Sequence, residues 1–189
     1  MSEIETIFRT AHDVGAAAWF GGTLMGAVGV NSAASASAAE DDTTDVAGEA
    51  WSAWTPVNLA AIGLHLIGGT GVLMSNSERL RRQQGVGAVT IAKFAVTAAA
   101  LGATGYSRLL GQRIISAERE PASDATTPTE NTDPVVASAM RQLSVMQWAI
   151  PTLTGAIVVL SSVMGEQQRP TQVASGVIGR VADRVPFGG

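Results

Sequence analysis

Two ionisable residues lie inside long apolar stretches of the chain. His65 is deep within Trp51–Ser75, a stretch that contains no Asp, Glu, Lys or Arg. Lys93 lies in the next apolar stretch and is the only lysine of the sequence. An ionisable side chain inside an apolar helix is costly and often marks a ligand site, an ion path or a proton relay. The sequence therefore predicts His65 and Lys93 as ligand-binding residues.

The depth of the two residues favours a shared site. At the α-helical rise, His65 lies about 15 Å and Lys93 about 10 Å from the ends of their stretches that adjoin the connection between them. Both could then line one cavity, where His65 would ligate haem, bind a quinone or relay protons with Lys93 nearby. In the alternative, His65 is neutral and bonded to a threonine or a carbonyl group, and Lys93 extends to the surface.

His12 is the other histidine of the chain. It precedes the first apolar stretch, so we expect it to lie much shallower than His65, beside lipid headgroups. Two ligands of one haem need comparable depth on facing helices. We therefore do not expect His12 and His65 of one chain to form a pair of haem ligands, unless the first span is shifted in register.

Four long apolar stretches would position these residues, with the charged residues segregated between them. Each is long enough to cross a hydrocarbon layer of about 30 Å as a helix. The expected fold is all-α, an integral membrane four-helix bundle over residues 14–165. The expected spans are about 14–32, 53–75, 86–107 and 142–165. An amphipathic lead-in, 1–13, precedes them, a polar or amphipathic tail, 166–189, follows them, and segments 33–50 and 117–134 are expected to be flexible loops.

Small residues in the first stretch predict a helix-packing face. Gly22 and Gly26 form a Gly-x-x-x-Gly pattern, which lets helix backbones approach closely in lipid. The same stretch, followed by the small residues Ala34–Ala38, also resembles a signal peptide with a cleavage site. The acidic start of the chain and the length of the apolar run oppose that alternative.

The arginines predict the orientation. Arg79, Arg81 and Arg82 crowd the shortest connection, and positively charged short loops remain in the cytoplasm. Both termini are then cytoplasmic. Four aromatic side chains fall near the opposite boundary, as is typical of membrane proteins; they are Trp51, Trp54, Tyr106 and Trp148.

Several classes of function lack support in the sequence. Cysteine is absent, which excludes disulfides and thiolate metal sites. The net charge is -4 and no basic stripe could meet phosphates, so we expect no nucleic-acid partner. We find no catalytic motif and no metal-ligand spacing. We predict no catalytic residue, no metal site and no cofactor, apart from the haem or quinone alternative at His65.

The pattern His12-x6-Trp19-Phe20-Gly21-Gly22 resembles the first helix of copper-resistance D-type membrane domains and related uncharacterised multi-span bacterial membrane proteins. The resemblance implies a helical membrane domain associated with copper handling or haem. The methionines of this chain are scattered, whereas copper passage requires clustered Met or His ligands. Only the architecture is therefore carried over.

Two functions follow as expectations. In the first, the protein is a multi-pass accessory or binding subunit of a bacterial plasma membrane, surrounded by lipid and packed on itself or on a larger complex. In the second, it is a redox or transport component that uses His65 with Lys93. An intramembrane enzyme ranks behind both, since no set of residues supports a reaction.

Overall fold

The computed structural model describes residues 3–37, 43–75, 77, 86–117 and 121–166. Four long helices dominate them, so the predicted all-α class with four helices is confirmed. In chain order the elements are α1 (Glu3–Met25), a π-helical turn (Gly26–Val30), α2 (Asn31–Ser37), α3 (Thr43–Ser75), α4 (Val86–Ile115), β1 (Ala122–Asp124), β2 (Thr127–Pro128) and α5 (Pro134–Glu166).

Three helices are long and apolar enough to cross a membrane: Thr44–Ser75, Gly87–Ile115 and Pro134–Glu166. Helix α1, predicted as the first span, is not among them. Charged residues in its first half, from Glu3 to Asp13, lower its hydropathy. Each of the four predicted spans therefore corresponds to a helix, but only three of the described helices are long and apolar enough to cross a membrane.

The helices form a ring with one weak side. Helix α1 packs along α3, α4 packs along α5, and α1 also contacts α5, whereas α3 and α4 make few contacts. One buried cluster surrounds Trp19 and includes Ala61 and Ile157. A second joins α4 and α5 through Leu110 and Met140. The weak side between α3 and α4 leaves a cavity, described below.

The segment predicted as the flexible loop 33–50 is largely helical. Helix α2 ends at Ser37, and α3 begins at Thr43, well before the span expected from residue 53. Alanine is the strongest helix former and is frequent on both sides. Asp45 in the first turn of α3 complements the positive end of the helix dipole. Polar composition alone is therefore misleading here.

The segment predicted as the flexible loop 117–134 contains an antiparallel hairpin, in which β1 pairs with β2. The Asp124 carboxylate accepts hydrogen bonds from the Thr126 backbone N–H at 2.7 Å and from the Thr127 hydroxyl at 2.8 Å. These bonds close the tight turn. Ala122 and Ala125 are buried, so the hairpin packs onto the helices and corrects the expectation of a loose loop.

Proline does not break the long helices. Pro56 lies inside α3 and Pro151 inside α5. Beside Pro151, the Thr154 hydroxyl donates to the carbonyl oxygen of Ile150 at 2.8 Å. The predicted tail beyond Glu166 and the arginine-rich connection lie outside the described residues.

Candidate functional site

His12 and His65 meet at the crossing of α1 and α3. Their rings stack with centroids 4.1 Å apart and an interplanar angle of 23°. Both are buried, with 7% and 2% of their surface exposed. The expectation that they lie at different depths is wrong. Helix α1 already begins at Glu3, which places His12 well inside a helix rather than at its edge.

Each histidine bonds to the backbone of the other helix. His12 Nδ1 lies 2.7 Å from the His65 carbonyl oxygen, and His65 Nδ1 lies 3.2 Å from the His12 carbonyl oxygen. A carbonyl oxygen only accepts, so both Nδ1 atoms carry a proton and donate. The contact is therefore reciprocal, and it ties the two antiparallel helices together at one level.

Glycine creates the space for this contact. Gly15 follows His12 by three residues, and Gly68 follows His65 by three. A Cβ on Gly15 would lie 2.5 Å from the Ala61 carbonyl oxygen, and a Cβ on Gly68 would lie 2.5 Å from that of Phe8. The backbones thus touch directly. The repeated His-x-x-Gly pattern is a signal in the sequence that the prediction of the site did not use.

Lys93 brings α4 to the same point. Its Nζ lies 2.5 Å from His12 Nε2. Because Nδ1 of His12 donates, Nε2 has the free lone pair and accepts from the ammonium group. Lys93 is thus connected to His65 through His12, which bonds to both residues. These three side chains, the His–His–Lys cluster, join α1, α3 and α4.

Trp19 supports the cluster from one side. It is fully buried, and its ring meets the His65 ring edge-on with centroids 6.2 Å apart. In the sequence, Trp19 is part of the pattern that carries the family resemblance, and nothing in that pattern indicates its position beside His65.

The geometry of the cluster does not suit a shared haem. An iron ligated by two histidines stands between their ring nitrogens, whereas these rings stack face to face with no gap between them. His12 also uses both of its nitrogens in bonds to His65 and Lys93. Within the described ranges, no group of three or more His, Cys, Asp or Glu residues could hold a metal ion. The arrangement can hold helices together and can pass a proton between Lys93 and His12.

The predicted packing glycines also lie on the α1–α3 contact. Gly22 faces the ring of Trp54, and Gly26 faces the ring of Trp51. Large rings on α3 thus fill the space above small residues on α1. Trp51 and Trp54, which are predicted from the sequence to lie at a membrane boundary, thus also pack against α1.

The fold and the site define a class: a small helical protein with three helices of membrane length and a His–His–Lys cluster whose two histidines are buried. Comparison of the chain with protein-family models, curated proteins and solved structures gives no match. The resemblance of the first helix to copper-resistance D-type domains stays a prediction.

Proposed function

We propose that this protein is a multi-pass subunit of a bacterial plasma membrane, with both termini in the cytoplasm, that acts as an accessory or binding partner in a membrane complex. The apolar surface supports a membrane location. Large apolar side chains are exposed along α3, α4 and α5, among them Ile67, Ile91 and Val159. In water such a surface would be unfavourable, whereas lipid tails or partner helices cover it.

One observation carries the choice of a non-catalytic subunit. The ionisable residues between the helices are bonded within the protein: each histidine donates to a backbone carbonyl of the opposite helix, and Lys93 donates to His12. Nucleophilic or acid–base catalysis requires groups directed at a substrate site. Here they are directed at each other, which supports a framework that presents its outer faces to a partner.

The partner can be tested by mild-detergent purification of the tagged chain, followed by native mass spectrometry. We expect a stoichiometric membrane protein or a defined homo-oligomer. The chain alone as a monomer, both in detergent and in lipid nanodiscs, would contradict the proposal. An absorption spectrum of the same sample tests the haem alternative. A Soret band that is lost in His65→Ala would show that His65 ligates haem, and the proposed framework role would then be wrong.

The orientation can be tested with single cysteines, because the chain has none of its own. Ser35 and Glu130 are exposed on the connections predicted to be external, and Glu3 is exposed at the start of α1. A membrane-impermeant thiol reagent added to whole cells should label Ser35→Cys and Glu130→Cys but not Glu3→Cys. The reverse pattern would invert the topology.

A second function, proton relay, is favoured by the hydrogen bond from Lys93 Nζ to His12 Nε2. A proton can pass along such a bond between Lys93 and His12, whereas the next bond of His12 goes to the backbone carbonyl oxygen of His65 and not to its ring. Proteoliposomes with a pH-sensitive dye inside would show proton flux in the native chain that Lys93→Met abolishes. Equal dye responses in native, Lys93→Met and protein-free vesicles would exclude the relay.

A further inference from the structure

The cavity lies on the weak side of the helix ring, between α3 and α4. It has a volume of about 370 Å³, within the lower range of small-molecule sites. Thr126 of the hairpin and Asn31 of α2 close it at one end. Ile62 and Leu101 close it at the other, where they also pack against the Trp19 cluster. The His–His–Lys cluster is not part of its wall.

Most of the cavity wall is apolar. Trp51 and Ile62 contribute from α3, Leu101 and Ile114 from α4, and Ile150 from α5. Arg108 is the one charged side chain among the described lining residues, and it is exposed. Acidic side chains are missing from the described wall. The apolar part of a lipid-soluble ligand fits such a wall. A charged group on the ligand would find no buried counter-charge there.

Unpartnered polar atoms are concentrated at this wall. Four lining residues each have a buried polar atom without a hydrogen-bond partner among the described residues: Asn31 Oδ1, Trp54 Nε1, Asn58 Oδ1 and Thr104 Oγ1. Asn31 is 8% exposed. Such atoms are rare in folded proteins because each costs about 1–3 kcal/mol when nothing bonds to it. Their convergence on one cavity indicates a missing polar partner.

The π-helical turn positions Asn31. Residues Gly26–Val30 are wound with one residue more per hydrogen bond than an α-helix, and Asn31 follows directly. Its Nδ2 donates to the side-chain oxygen of Gln147 on α5. That bond fixes the amide and leaves Oδ1 as the free acceptor. Asn31 is therefore held by its neighbours rather than free to rotate away.

The free atoms specify the chemistry of the ligand. The two asparagine oxygens accept hydrogen bonds, the Trp54 N–H donates one, and the Thr104 hydroxyl does either. A carbonyl group only accepts and would leave Asn58 Oδ1 without a partner. A hydroxyl group both donates and accepts. We propose that the cavity binds an uncharged, lipid-soluble alcohol, with its hydroxyl among Trp54, Asn58 and Thr104 and its apolar body against the wall.

A matched pair of probes tests the hydroxyl. The full chain in detergent, carrying Trp148→Phe to remove an exposed tryptophan, is titrated with a brominated medium-chain alcohol that quenches tryptophan fluorescence. The methyl ether of the same alcohol and the carboxylic acid of the same chain length serve as comparisons. We expect saturable quenching by the alcohol, with about three- to tenfold weaker binding of the ether, the range for one lost hydrogen bond.

Two glycines of α4 provide a matched test of location. An added Cβ meets no atom within 4 Å at Gly105, which lines the cavity, or at Gly102, which does not. Gly105→Phe should fill the cavity and abolish saturable quenching, whereas Gly102→Phe should retain it. The milder variants Asn58→Leu and Thr104→Val should reduce the preference for alcohol over ether by a few-fold and leave the wall in place.

Three results would overturn the proposal. Equal quenching of the Gly105→Phe and Gly102→Phe variants would place the probe in detergent rather than in the cavity. Equal binding of alcohol and ether would show that the polar atoms are not used. Tighter binding of the carboxylic acid, lost in Arg108→Gln, would assign an anionic ligand instead.

Discussion

Two regions of the helix ring, the His–His–Lys cluster and the cavity, handle buried polar groups in opposite ways. At the His–His–Lys cluster, the three ionisable side chains bond to one another or to the facing backbone within a close-packed crossing, and the buried Nε1 of the neighbouring Trp19 is the one atom there without a described partner. At the cavity, polar atoms from α2, α3 and α4 face a space and lack described partners. The first arrangement holds the protein together without help. The second is complete only with something bound.

The largest expected effect is at the crossing itself. Gly15→Ala would place a Cβ 2.5 Å from the Ala61 carbonyl oxygen, and because backbone must move, we expect a loss of about 2–3 kcal/mol in the free energy of unfolding. The control is Gly63→Ala on α3, whose Cβ meets nothing within 4 Å; it should gain up to about 1 kcal/mol. Denaturation with SDS in mixed micelles measures both, and equal effects would disprove the close crossing.

Next in size is the loss of a histidine. His65→Leu keeps the volume but removes the donor to the His12 carbonyl oxygen and the ring stacking. We expect a loss of about 1–3 kcal/mol in the same unfolding measurement. The control is Leu64→Ala, a neighbouring exposed position on α3, which should change stability less. A stable His65→Leu protein would mean that the cluster serves a purpose other than holding helices.

A change at the cavity should have the opposite sign. Asn58→Leu removes a buried acceptor that lacks a described partner. In the absence of ligand, the free energy of unfolding should stay unchanged or rise by up to about 1 kcal/mol, because no hydrogen bond is lost. Destabilisation as large as that of His65→Leu would show that Asn58 is bonded in the folded protein, and the contrast between the two regions would fail.

The smallest effect concerns the hairpin that closes the cavity. Burial works against ionisation of Asp124, but hydrogen bonds from Thr126 and Thr127 outweigh it and lower the pKa of that carboxyl below its ordinary value. Because the folded pKa is depressed, its stabilisation is present above the unfolded pKa and is lost as pH falls through the folded pKa.

Hydrogen exchange of the Thr126 amide, which donates to Asp124, follows this titration. Protection should fall at acid pH in the native chain. In Asp124→Asn, protection should be lower and nearly independent of pH over the same range. A native profile without an acid transition would contradict the role of the carboxylate.

The sequence predicted the helices well and their partners poorly. Segregation of charge from apolar stretches located four helices, because that pattern is local. His12 was placed by its distance from an assumed span edge, and the helix in fact begins earlier, at Glu3. The His-x-x-Gly repeat was visible in the sequence, but its meaning depends on two helices crossing at one level. The cavity was out of reach, since it arises where α3 and α4 fail to pack.

The π-helical turn separates Asn31 at the cavity from His12 and Gly15 at the helix crossing. A π turn differs from an α turn by a single inserted residue, and each helical residue turns the chain by about 100°. Deleting one residue within Gly26–Val30 would swing Asn31 off the cavity wall and leave His12 and Gly15 in register with α3. One inserted or deleted residue could thus reshape this end of the cavity while the helical scaffold stays as it is.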